Sequence, residues 1–135
     1  MKNVAIARDP ERGSAATKFL LIFAVILLVA HAGFNYIPVA YEAESMKTEM
    51  QTAVVQGLAL PGKVNPVDNV KTRIMRAAQI NQLPEDTIID VKQNGNAISA
   101  HVVYAKKVNM LPFGIYKYNY EFDHTATPTG FLLKQ

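Results

Sequence analysis

The chain has 135 residues, half of them hydrophobic, a formal net charge of +3 and no cysteine. That length accommodates one membrane segment and one small domain but not two soluble domains, and the lack of cysteine excludes a disulfide framework, a thiolate metal site and a cysteine nucleophile. The charge divides into about +2 ahead of the first apolar run, −2 from Glu42 to Leu60 and +3 beyond, and the longest basic run, Lys106-Lys107, is too short for a nucleic-acid surface.

From Phe19 to Tyr41 the sequence FLLIFAVILLVAHAGFNYIPVAY contains no Asp, Glu, Lys or Arg. At about 1.5 Å per residue this run reaches roughly 34 Å as a helix, enough to cross the hydrocarbon core of a bilayer. A competing reading is a signal peptide, because Phe19 to Ala30 alone makes a secretory apolar region and Ala30-His31-Ala32 supplies a small-x-small cleavage pattern. Retention is favoured, since Phe34, Tyr36, Ile37, Val39 and Tyr41 continue the apolar character past the cut and place tyrosines at headgroup level. Lys2, Arg8, Arg12 and Lys18 precede the run and Glu42, Glu44 and Glu49 follow it, which orients the amino end to the cytoplasm and everything beyond Tyr41 to the far side, in a bacterium the periplasmic face of the inner membrane. Pro38 removes one helical hydrogen bond and predicts a kink near the outer interface.

Val39, Ala43, Met46, Met50, Ala53, Val54 and Gly57 recur at helical spacing and extend the helix as an amphipathic stem to about Leu58. Leu60-Pro61-Gly62 ends it. Asn65 as N-cap, Pro66 at the first position and Asp68 in the first turn predict a second helix, with an apolar stripe of Val67, Val70, Ile74, Ala77 and Ala78, that stops near Asn81. Thr87 to Gln93 and Ala97 to Val108 flank Asn94-Gly95-Asn96 and read as a hairpin. Ile115 to Asp123 alternates, with Tyr116, Tyr118, Tyr120 and Phe122 on one face and Lys117, Asn119 and Glu121 on the other. The fold class is therefore α+β: a transmembrane helix with its stem, a second helix, and a three-stranded antiparallel sheet whose inner face the helices cover. The implied divisions are a basic tail over 1–18, the membrane helix over 19–41, the stem over 42–60, an extracytoplasmic domain over 61–126 and a flexible tail over 127–135, with the chain loosely held from Thr125.

The connection containing Met110, Leu111, Pro112 and Phe113 is apolar for a loop. It reads as a plug beneath the sheet or as a contact with the bilayer or a partner. Glu121, Asp123 and His124 put two carboxylates on one strand face beside a histidine, a combination suited to acid–base work or cation binding, although such charges more often serve solvation. Ser99 and His101 share a strand face without a nucleophile elbow or oxyanion feature, and His31, His101 and His124 share no metal-ligand spacing. The tyrosine row reads as the buried side of a sheet or as a stacking platform. No catalytic, metal or cofactor site emerges; the partners expected are the lipid bilayer and other subunits of a membrane complex, or a second copy through the apolar helix, and no nucleic acid.

Gly13 ahead of the apolar helix, Ile37-Pro38-Val39-Ala40-Tyr41 at its outer end, Leu83-Pro84-Glu85-Asp86, Val103-Tyr104 and Tyr120-Glu121-Phe122-Asp123-His124-Thr125-Ala126 together resemble a family of short, uncharacterised bacterial proteins with one membrane helix and a small envelope domain. That resemblance implies a single-span envelope protein and brings no known activity; the strong anchor, the small domain and the lack of a catalytic constellation lead to the expectation of a non-enzymatic scaffold or accessory subunit of an envelope assembly. Glu11-Arg12-Gly13-Ser14-Ala15-Ala16 before a long apolar helix also resembles the leader of pilin-like and Tad-type pseudopilin subunits, which are cut after a glycine and polymerise through that helix. Those proteins carry glutamate five residues after the cut, where this chain has Lys18.

Overall fold

The computed structural model describes residues 11–59 and 65–128. Five main elements follow one another: α1 (Glu11–Leu58), α2 (Pro66–Ile80), β1 (Ile88–Asn94), β2 (Ala97–Asn109) and β3 (Lys117–Ala126), with a short 3-10 turn at Pro112–Gly114 before β3. The three strands form one antiparallel sheet in the order β1-β2-β3. The protein is thus α+β, with the stem helix, second helix and sheet expected from the sequence.

α1 joins two segments of different character. From Phe19 to Val29 its large apolar side chains are exposed, and it is long and apolar enough over this half to cross a membrane. From Val39 onward one face is buried: Val39, Ala43, Met46, Met50, Ala53 and Val54, the i, i+3, i+4 spacing that keeps side chains on one side of a helix. The helix already begins at Glu11, ahead of the apolar run, because Gly13 is followed by Ser, Ala, Ala and Thr without a breaker, and Thr17 Oγ1 donates to the Gly13 carbonyl at 2.6 Å. It continues through Pro38 as well. One missing amide hydrogen removes one hydrogen bond, and the packed stem beyond holds the following turns in place.

α2 starts as its sequence dictates. Asn65 accepts a hydrogen bond from the Val67 amide at 3.1 Å, Pro66 occupies the first turn and Asp68 sits at the positive end of the helix dipole. Val70, Ile74 and Ala77 are buried, and Asn81 caps the other end. The side of the sheet facing the helices presents Ile98, Ala100, Val102, Tyr104 and Val108 from β2 with Phe122 and Ala126 from β3, all buried. These close on Met46, Met50, Val54, Val70 and Ile74 in one core. The stem therefore supplies five of the fourteen buried core residues among the described residues, Ala43, Met46, Met50, Ala53 and Val54, rather than acting as a spacer beneath a separate domain.

Two boundaries differ from expectation. β3 begins at Lys117 because the Pro112–Gly114 turn and a helical Ile115 occupy the residues before it. It runs on to Ala126, which pairs with Ala100 and is buried, so Thr125 and Ala126 belong to the sheet and are not loosely held. The expected helix stop at Leu60-Pro61-Gly62, the first part of the basic tail and most of the 127–135 tail lie outside the described residues.

Candidate functional site

The solvent face of the sheet collects its polar side chains by simple alternation. Asp90, His101 and Thr125 lie opposite one another across the three strands, with Lys92, Ser99, Glu121 and Asp123 on the same face. His101 Nε2 lies 2.6 Å from Asp123 Oδ1, a diagonal pair between β2 and β3. Lys92 pairs with Asp90 at 2.7 Å, and that hydrogen bond raises the lysine pKa. His124 is not part of this group: it points to the opposite face, opposite Val102, with its ring 6.1 Å from that of Phe122. The expected union of Glu121, Asp123 and His124 is corrected accordingly, since adjacent residues on a strand face opposite ways. The histidine beside the carboxylates is His101.

Chemically this face is a hydrated polar surface. His101 and Asp123 are both substantially exposed, and among the described residues no hydrogen bond joins Ser99 to His101 and no group of three His, Asp or Glu side chains lies close enough to hold a metal ion. A cleft of about 370 Å³ between α1 and α2 is lined by Glu49, Thr52, Arg73, Arg76 and Asn81 among others. Ala53, Ala77 and Ile80 also line it, so it mixes polar and apolar side chains, and it is open to solvent. Arg73 reaches across it to the Gln56 carbonyl oxygen of the side-chain amide.

A second constellation lies where the start of the stem of α1 meets the sheet. Glu42 Oε2 and Lys106 Nζ form a partly buried ion pair at 2.6 Å. Beside it the Tyr104 ring stacks on Phe122 at 4.8 Å between centroids. Burial, then the proximity of Tyr120 and Glu42, pushes the Tyr104 phenol up to about 12, and its hydroxyl is the one buried side-chain polar atom among the described residues without a hydrogen-bond partner. Tyr36 of α1 packs against Tyr118 and Tyr120 at 6.3 and 5.9 Å.

The tyrosine row is thus graded. Phe122 is buried, Tyr120 half-buried, and Tyr118 and Tyr116 exposed as the strand leaves the cover of the helices. The sequence carried an unused signal for the ion pair: Glu42 falls inside the stem's apolar stripe and Lys106 on the inward alternation of β2, so each required an opposite charge.

Past Lys106 the β2–β3 connection forms a compact tip. The amides of Met110 and Leu111 donate to the Tyr116 carbonyl at 3.0 and 3.3 Å. Met110 and Leu111 are half-buried, whereas Phe113 is 99% exposed with a left-handed backbone (φ 61°). Phe113 does not plug the core; the helices already fill it, and the turn directs the ring outward. Comparison with protein-family models, with curated proteins and with solved structures returned no match.

Proposed function

We propose that this chain is a non-enzymatic, single-pass membrane protein that acts as a scaffold or accessory subunit of a bacterial envelope complex. Residues 19–41 lie in the inner membrane, the amino end faces the cytoplasm and the α+β domain stands on the far side. The carrying observation is the division of α1: a bare apolar half joins, within one helix, a half buried in the domain core. Such a helix joins the domain to its anchor without an intervening loop, which suits a part that fixes position. The exposed, conventional polar pairs on the sheet support a non-catalytic domain.

Alkaline carbonate washing followed by protease treatment of spheroplasts tests it. The chain should stay with the membrane and the domain should be digested from outside; release by carbonate overturns the anchor, and protection overturns the orientation. A lone monomer on gentle detergent extraction overturns the subunit role.

The same bare helix favours a second reading, a filament subunit cut after Gly13 that packs helix on helix. Gly13 lies inside α1, so cutting there requires the first turn to open. Mass spectrometry of the mature amino terminus separates the readings: Met1 fits the anchor, Ser14 the filament subunit and Gly33 a secreted domain.

A further inference from the structure

The domain's height above the apolar run follows from two contacts along α1. A Cβ at Gly57 would meet Ile98 Cδ1 at 3.5 Å, and Glu42 holds Lys106 at 2.6 Å. Glu42 to Gly57 covers roughly 22 Å at the helical rise, and Ile98 to Lys106 covers roughly 26 Å at strand spacing. β2 therefore runs nearly antiparallel to α1, back toward the apolar half. Continuing past Lys106, Met110 lies roughly 13 Å further along, level with Gly33 and Phe34. The tip ends at or below the outer end of the apolar run.

What the tip presents at that level is apolar and basic. Phe113 is 99% and Ile115 74% exposed, on a turn held by its own backbone hydrogen bonds. A bulky residue with positive φ is uncommon and is retained where the surroundings impose it; here it holds the ring clear of the domain. Lys107 and Lys117 flank the turn without ion pairs among the described residues, and no Asp or Glu occurs between Ala105 and Tyr120. Tyr36 and Tyr41 of α1 and Tyr116 and Tyr118 of the hairpin share the same zone, where tyrosine is favoured between hydrocarbon and water.

We propose that the β2–β3 tip is a second membrane-binding element: Phe113 and Ile115 enter the interfacial layer of the bilayer that α1 crosses, and Lys107 and Lys117 face its anionic headgroups. The proposal rests on the reading of α1 as a membrane anchor. It gives the protein two attachments, a span and a lateral foot, and these fix the domain's tilt as well as its height.

The chain has no cysteine, so single-cysteine variants of the full-length protein report single places. Phe113→Cys, Phe23→Cys and Asn96→Cys are each labelled with an environment-sensitive fluorophore in nanodiscs of phosphatidylethanolamine and phosphatidylglycerol. Quenching by nitroxide lipids is compared with quenching by aqueous iodide. At Phe113 the lipid quencher should act and iodide should lose most of the effect it has at Asn96, in the distal turn. A Phe113 label as open to iodide as Asn96 overturns the proposal, and so does one shielded from both quenchers, which would mean burial against protein. The Phe23 label tests the anchor separately: lipid contact there with a wet Phe113 overturns the foot alone, whereas a wet Phe23 overturns the anchor. Replacing phosphatidylglycerol by phosphatidylcholine, or combining K107Q with K117Q, should weaken lipid quenching at Phe113; no change overturns the headgroup role of the lysines.

Discussion

Gly57 is a close approach of α1 to α2. A Cβ there would run into Val70 Cγ2, so G57A should lower stability by about 1 to 2 kcal/mol, overpacking outweighing the better helix propensity of alanine. Thermal unfolding of the detergent-solubilised protein by circular dichroism measures this. Tyr104 should act in the opposite direction. Its buried hydroxyl lacks a partner, so Y104F should raise stability by about 1 kcal/mol at neutral pH. The phenol also carries a pH dependence. Its folded pKa, about 12, stands above the ordinary phenol value of 10.0, so above pH 10.0 the unfolded chain releases the proton while the fold still holds it. Stability should fall from pH 10.0 to about 12, relative to Y104F at the same pH; equal alkaline sensitivity in the two proteins would contradict the assignment. The Glu42–Lys106 pair belongs to the same corner. E42Q leaves a partly buried ammonium without its counter-charge and should destabilise more than the double change E42Q/K106M, the sign being set by the stranded charge rather than by loss of a bond.

At the scale of elements, the caps and stripes explain both what holds the fold and what the sequence disclosed. N65A should cost about 1 kcal/mol through loss of the N-cap on the Val67 amide. M46A should cost about 2 to 5 kcal/mol, because Met46 is fully buried where α1 meets the sheet. Both are read in the same unfolding experiment, and a cost at Met46 no larger than at Asn65 would show that the stem is peripheral to the core. The stem was legible because its stripe obeys one period from Val39 to Gly57, and α2 because Asn65, Pro66 and Asp68 each signal a start. The hairpin was legible from Asn94-Gly95. The start of β3 was not, since the Pro112–Gly114 turn and Ile115 take apolar residues that alternation alone assigns to the strand. Its end was hidden by Thr125, which reads as a loop residue until Ala126 is seen opposite Ala100. The site was less legible than the fold. Proximity in sequence grouped His124 with Asp123, whereas the pleat separates them and a neighbouring strand supplies His101. Tyr36 meeting Tyr118 and Tyr120 depends on how far β2 descends along α1, which no local pattern encodes.

At the scale of the whole molecule, the apolar run and the packed stem belong to one continuous helix, and on the proposed reading of α1 as an anchor that permits a direct manipulation of height. Seven alanines inserted after Ala32 lengthen α1 by about 10 Å while nearly preserving its angular phase. The domain should keep its unfolding temperature, and a Phe113 label should pass from lipid contact to iodide exposure as the foot is lifted off the surface. Retention of lipid contact would mean that the helix slides or tilts to compensate, and the axis would then not set the height. The polar face carries a consequence of this same construction. His101 lies on β2 between Ile98 and Lys106, roughly 16 Å farther from the apolar run than the Glu42–Lys106 pair. If α1 is the proposed anchor, its continuity from the apolar run into the core means that a partner meets that face at one elevation and one compass bearing about the membrane normal. Two such proteins bound to a common neighbour would be held at matched heights, and a neighbour whose complementary surface lay a helical turn higher or lower would be excluded by geometry before any side chain was tested.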